Sequence, residues 1–306
     1  MAYTNMDTNM TTSSALSAGM QTYYNRELLR TFEPNLVHLQ FGDEHRMPPH
    51  SGLVMNMRKI IPLETNTKAL SEGDPGDSVM LAETEVTVQL QQYGEYARCT
   101  DKLDLTHLDM DIMRRTKLFG DAGSRSIDAV VRVIYAGGKT SRAALTPQDK
   151  LTSRELRRAV KMLKKNHAQT FGGYYIAIVG PDTMYDLQED DAFIKVSQYQ
   201  DKENIYTGEI GRLFGVRLVE TTEAKVFGGA GAEKADVASV IVLGQYAYGI
   251  TSLKGAKPRV IVKPAGSAGT ADPLDQISTV GWKMDGFGVK MLQPEYAVRI
   301  ECGFSA

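Results

Sequence analysis

Two stretches constrain this chain most: "GLVMNMRKIIPL", from Gly52, and "VTVQLQQYGEYARCT", from Val86. Both read as strands, the second with Val86, Val88 and Leu90 alternating against Thr87, Gln89 and Gln91. They predict a hairpin over residues 52–96. Its tip, "ETNTKALSEGDPGDS", is polar and rich in turn residues. It is far longer than the roughly two to five residues of an ordinary hairpin loop. An isolated two-stranded hairpin is marginal in water, so this one has to lean on something outside itself. The expected support is another chain.

The rest of the chain mixes helices and strands. The opening residues, Thr, Ser, Asn, Asp and Met without periodicity, bury too little to offset their ordering entropy and are expected to form a mobile arm. Residues 13–32 place Leu16, Met20, Tyr23, Tyr24 and Leu28 on one face of a short helix that stops before Pro34. Ile112, Thr116, Phe119, Gly123, Ile127, Val130 and Ile134 recur at helical spacing and predict a long helix over residues 109–135. Another helix starts at Thr152, with Glu155 completing a capping box. Leu156, Val160 and Leu163 line its inner face, and Arg154, Arg157, Arg158, Lys161, Lys164 and Lys165 form a basic stripe on the other. That stripe is either a solvated face or a docking surface for DNA phosphate or an acidic neighbour. "YYIAIVG" from Tyr174, "VIVLG" from Val240 and "RVIVKP" from Arg259 are strand candidates, and Pro181 suits the start of a short helix. Without the regular alternation of a doubly wound sheet, the class is α+β.

Motifs that would carry chemistry fail on spacing or context. "YAGGKTS", from Tyr135, ends like a P-loop, but Val133 stands where its first glycine belongs and a helix precedes it. Gly137 and Gly138 read instead as a helix stop. His45 and His50 are separated by Pro48 and Pro49, which forbid the helix that would bring them together on a metal. His107 lies among Asp101, Asp104, Asp109 and Asp111, which lack the spacing of a calcium loop and read as helix caps. "AGSAG" has Ala265 where a nucleophile elbow needs glycine. In "TGEIGRLFGVRLVET", Gly208, Gly211 and Gly215 precede a strand, whereas dinucleotide glycines open a helix; they mark a tight turn. No catalytic, cofactor-binding or metal-ligating set emerges.

Composition narrows the class further. The chain has 306 residues, 42% hydrophobic, and a formal net charge of -2, so no overall basic field holds nucleic acid. Cys99 and Cys302 are too few for a disulfide framework or a cysteine zinc site, which fits a reducing compartment. There is no apolar run long enough for a bilayer and no basic-then-apolar secretory signal at the start. The expected site of synthesis and residence is the cytosol.

At this point the sequence resembles the major capsid proteins of tailed bacteriophages, with the Hong Kong phage type of capsid fold. "TGEIGRLFGVRLVET" is similar to a recurrent glycine-and-apolar segment of that family. "DPLDQISTVGWKMDGFGVKMLQPEYAVRIEC" resembles the ending of one branch, and "PNLVHLQFG" and "VQLQQYGEYARCTDKLDLT" match the same branch. The resemblance implies a partition: arm and short helix over residues 1–50, extended hairpin over 51–96, and a peripheral domain with a spine helix over 97–150. An axial domain over 151–275 and C-terminal strands returning to the peripheral domain over 276–306 complete it. It implies assembly into pentamers and hexamers of an icosahedral head around double-stranded DNA, in the host bacterial cytoplasm. Portal and scaffolding or decoration proteins are the implied partners, with no cofactor and no membrane. Inter-subunit contacts are expected at Leu53, Met55, Met57, Arg58, Glu72 and Asp74, and the stripe from Arg154 to Lys165 is expected to face DNA or a neighbour. The family's lysine-to-asparagine crosslink motif is not matched. An encapsulin-type compartment, a nucleotide-dependent enzyme and a small nucleic-acid-binding module are the competing readings.

Overall fold

The computed structural model describes residues 18–32, 36–48, 50–60, 83–102, 112–136, 145–190, 212–253, 257–267 and 272–304, with isolated positions at 67, 69, 73 and 80. Four α-helices are described: α1 (Ala18–Phe32), α2 (Ile112–Val131), α3 (Ser153–Lys165) and α4 (Pro181–Gln188). The first strands are β1 (Asp43–Met47), β2 (Val54–Ile60), β3 (Glu83–Gln89), β4 (Gln91–Thr100) and β5 (Tyr175–Val179). After them come β6 (Arg212–Leu213), β7 (Val216–Glu220), β8 (Val226–Phe227), β9 (Val237–Leu243) and β10 (Tyr248–Leu253). The last are β11 (Arg259–Lys263), β12 (Ile277–Met291) and β13 (Ala297–Cys302).

One sheet is built on β12. β4 runs antiparallel along one flank, while β10 and β11 share the other. β1 is added parallel to β10. The second sheet has the order β13-β9-β5-β7-β6, with β8 also on β9. Every residue of β5 and β9 is buried, as expected of strands covered on both faces. Tyr175, Ala177, Val179, Val240 and Val242 meet Leu156, Ala159, Val160 and Leu163 of α3 and Met184 and Leu187 of α4. Ile176, Ile178, Ile241 and Leu243 face the other way, onto Ile127, Val131, Ile134 and Tyr135, where Tyr248, Trp282 and Phe287 of the first sheet also converge. The end of α2 is therefore wedged between the two sheets.

Local chemistry explains most element ends. Pro181 occupies the first turn of α4, where its missing N–H costs nothing. Leu213 pairs with Val216 across Phe214 and Gly215, both at positive φ (52 and 80), the two-residue turn whose twist matches a hairpin. That is the tight turn expected at Gly215 of "TGEIGRLFGVRLVET", while Gly208 and Gly211 lie outside the described residues. The long helix runs as α through Val131 and tightens into a 3-10 turn to Ala136. Gly137 and Gly138 lie outside the described residues, as do Lys139, Thr140 and the opening arm.

Three expectations change. The second hairpin strand is not continuous: it breaks at Leu90, whose buried side chain and N–H bond to the Leu53 carbonyl (2.8 Å) separate β3 from β4. The capping box does not form, since Thr152 makes no side-chain cap bond. Asp190, beyond α4, instead accepts from the Ser153 amide at 2.7 Å. Finally, strand pairing cuts across the expected partition. β10 and β11, placed by sequence in the axial segment, join the sheet of β4 and β12, and β13 leaves β12 to pair with β9. Alternation identifies a strand but not its partner.

Candidate assembly surfaces

β2 and β3 pair antiparallel from Val54↔Gln89 to Ile60↔Glu83. The hairpin is seated on its own chain at the base. Met57 is 4% exposed, and its sulfur lies where a methyl group on Gly249 of β10 would be 2.6 Å away. Val88, 3% exposed, sits over Gly288 of β12 in the same manner. Only glycine lets the two sheets approach so closely. Lys59 Nζ reaches Glu295 Oε2 at 2.9 Å, and this hydrogen bond holds the Glu295 carboxyl below its usual range.

The expected contact residues therefore separate. Leu53 is 63% exposed, Met55 is half-buried, and Arg58 is exposed with its guanidinium 3.5 Å from Glu83. Met57 shares a strand face with Met55 and is buried in a single copy, packed on Gly249 of the same chain. Glu72 and Asp74 lie outside the described residues. Two further exposed apolar groups are Val54 and Met80; in the sequence Met80 stands between Val79 and Leu81.

On α3, Arg154, Arg157, Arg158, Lys161, Lys164 and Lys165 are all exposed, opposite the buried Leu156, Val160 and Leu163. The Arg157 guanidinium lies over the Phe214 ring at 4.9 Å, and Arg158 approaches Glu155 at 3.9 Å. The arrangement presents a helix face of cations with Met162 among them, suited to a phosphate backbone or a carboxylate-bearing surface.

Where α2 packs between the two sheets lies a buried polar hub that stands in no sequence pattern. His38 Nδ1 stands 2.5 Å from Asp128 Oδ2, and the His38 amide donates to Asp128 Oδ1 at 2.9 Å. His38 Nε2 meets the Tyr135 hydroxyl at 3.0 Å, while the Tyr248 hydroxyl donates to the His38 carbonyl. All four residues are at most 1% exposed. Burial, followed by the Asp128 charge, raises the Tyr135 hydroxyl above its ordinary value, and burial does the same to Tyr248. The available signal was Asp128 itself, four residues after Ser124 on a buried helical phase.

The remaining candidates stay apart. His45 Nε2 faces Asp43 at 3.0 Å, and His50 is exposed. His107, Asp104, Asp109 and Asp111 lie outside the described residues. Among the described residues no cluster of three or more His, Cys, Asp or Glu could hold a metal, and no helix is long and apolar enough to cross a membrane. Ala265, Gly266 and Ser267 form a turn just after β11, and residues 268–271 that follow lie outside the described residues.

The described residues thus form two sheets with a helix wedged between them, a two-stranded hairpin seated on one sheet and a cationic helix face on the other. A profile of the phage capsid protein family matches residues 83–300. The chain belongs to the phage capsid protein family, and is a major capsid protein that forms the head shell. Its fold is similar to the capsid of Ralstonia phage GP4 (TM-score 0.69, 13% identity, 100% of this chain and 98% of that one). It is also similar to the capsid of Cyanophage P-SCSP1u (TM-score 0.67, 13% identity, 88% and 89%). A virus-like particle from Pyrococcus furiosus shares the fold at TM-score 0.53 and 13% identity, over 92% and 99% of the two chains. No curated protein sequence matches the chain significantly. The α+β class and Hong Kong phage type of fold expected from the resemblance hold.

Proposed function

We propose that the chain assembles into pentamers and hexamers that close an icosahedral phage head around double-stranded DNA. The observation that carries this reading is the hairpin. Its base is seated on β10 and β12, while Leu53, Val54 and Met80 stay exposed in a single copy. Leu53, Met55 and Arg58, with Glu72 and Asp74 of the tip, contact the neighbouring subunit. The α3 stripe from Arg154 to Lys165 faces packaged DNA, by non-specific contact with phosphate.

In this reading the protein is no enzyme. Assembly takes place in the host bacterial cytoplasm, with a portal and separate scaffolding or decoration proteins as partners. Each contact is moderate, and closure around rings multiplies their effect by raising effective concentration. Residues 97–150 act as the peripheral unit and residues 151–275 as the axial one; β10 and β11 of the axial segment join the sheet of β4 and β12, and β13 of the C-terminal segment 276–306 joins the sheet of β9.

The test is negative-stain electron microscopy of the purified chain after size-exclusion chromatography, alone and with its scaffolding partner. Closed shells or capsomer rings support the reading; a small monodisperse species under both conditions overturns it. The content of the shells then separates a phage head, which holds nucleic acid, from a compartment loaded with protein cargo.

A further inference from the structure

Strand alternation divides the side chains of β4, β12 and β11 between two faces. Trp282, Met284 and Val260 pack inward on the cluster around α2, so Thr279, Gly281 and Ile261 turn to the opposite face. The register lays out two rows across that face. In the first, Tyr96 and Ile261 stand on either side of Gly281; in the next, Arg98 and Lys263 stand on either side of Thr279. Asp272 and Ile277 close the far end, and the whole forms a bay of about 440 Å³.

Each row carries chemistry that the fold does not consume. Strands about 4.8 Å apart put the Tyr96 and Ile261 backbones roughly 10 Å from one another, and the glycine between them leaves a slot wide enough for one planar ring. Tyr96 is 61% exposed and Ile261 37%, so both walls of the slot are open to solvent. In the second row, Arg98 donates to the Tyr96 hydroxyl at 3.3 Å and stands over its ring at 5.7 Å, and Lys263 is exposed. Among the described residues neither cation has a carboxylate partner. The other two cations of this face do: Arg259 and Lys283 share Asp285, at 3.2 and 2.8 Å. Asp272 is the one carboxylate lining the bay, and it is directed at the Ile277 amide, from which it accepts at 2.7 Å.

We propose that this bay binds one unpaired nucleotide of a single-stranded nucleic acid. The base enters the slot between Tyr96 and Ile261, and its phosphate is held by Arg98 and Lys263 with the Thr279 hydroxyl between them. Successive rows lie about 7 Å apart, the reach from a base across its sugar to the phosphate. An exposed aromatic ring beside a cationic groove holds single strands without sequence preference, because every base has a face to stack. A base inside a duplex is excluded, since its faces are already stacked on its neighbours. An acidic peptide would engage the two cations and leave the slot empty, whereas a nucleotide fills both rows. The bay lies on the first sheet, apart from the α3 stripe on the second, and its chemistry does not depend on shell closure.

The test irradiates the full, unassembled chain with a short single strand carrying iodouracil, which links to an aromatic ring stacked on it, and maps the adducts by mass spectrometry. The expected adduct is on Tyr96 of the unsubstituted chain, so the result does not rest on any variant folding. Affinity for the same strand, read by fluorescence anisotropy, should fall at least about fivefold in Tyr96→Leu. Lys263→Gln should weaken binding and flatten the slope of log K against log salt by about 0.7, the loss of one phosphate contact. The chain with Arg158→Glu and Lys165→Glu should keep the Tyr96 adduct. Adducts at Phe214, which lies under Arg157 of α3, in place of Tyr96 would assign binding to the stripe and overturn the proposal. Equal competition by polyglutamate would make the bay an acidic-peptide surface and overturn it too. Neither failure touches the shell reading, which is tested on assembled particles; a chain that links at Tyr96 yet never closes shells counts against that reading alone.

Discussion

Asp128 is a carboxylate with no exposed surface, placed between the His38 ring and the His38 amide. Removing one partner of a buried pair leaves the other uncompensated, so Asp128→Ala should lower the unfolding free energy by about 3–5 kcal/mol. Urea titration of the soluble chain measures this, and a loss below 1 kcal/mol (roughly the worth of a surface pair) would show that the hub is dispensable. In the sequence His38 stood in no pattern, and only Asp128, on the phase of a long helix, pointed toward the hub. The partners of His38 lie 90, 97 and 210 positions away, and such distances are closed only by the packing of both sheets on α2. Glu295 gives the pH prediction. Its folded pKa is lowered from the ordinary value of 4.5, chiefly by the Lys59 bond. The stabilisation is therefore present above that ordinary value and is lost as pH falls through the lower folded value. Hydrogen exchange at the hairpin base should accelerate on acidification across that window, and Lys59→Met should abolish the step.

Elements were more readable than residues, because periodicity reports which face of a segment is buried. Leu156, Val160 and Leu163 were read as the inner face of α3 and are buried there; "YYIAIVG" and "RVIVKP" became β5 and β11. What failed was the tertiary part of each reading. The cap of α3 comes from Asp190, across α4, and Met57 faces Gly249, nearly two hundred positions on. Neither contact leaves a local signature. The outer face of α3 supports a prediction at this scale. Reversing Arg158 and Lys165 to Glu removes two cations and adds two anions on an exposed face, away from the core of the second sheet. Surface changes of this kind alter stability by roughly 0.5 kcal/mol or less, so shells should still close. Their DNA content, measured by absorbance after nuclease treatment, should fall, and an unchanged content would return the stripe to a merely solvated face.

At the scale of the whole molecule, the two hydrophobic clusters explain why the hairpin can serve assembly without serving the fold. One cluster joins α3 and α4 to the second sheet, and the other joins α1 and α2 to both sheets. Among the described residues, neither includes a side chain of β2 or β3. The hairpin attaches through Met57, Val88 and the Lys59–Glu295 bond at its base, and all three lie outside residues 63–78. Deleting residues 63–78 should therefore leave a soluble chain whose urea midpoint shifts little, since cooperative unfolding tracks burial in the core. The same chain should fail to close shells under conditions where the full chain succeeds. Size-exclusion chromatography and electron microscopy on the two chains side by side read both halves. Normal shells from the shortened chain would remove the tip from assembly. A large fall in the midpoint would instead show that the tip supports the fold.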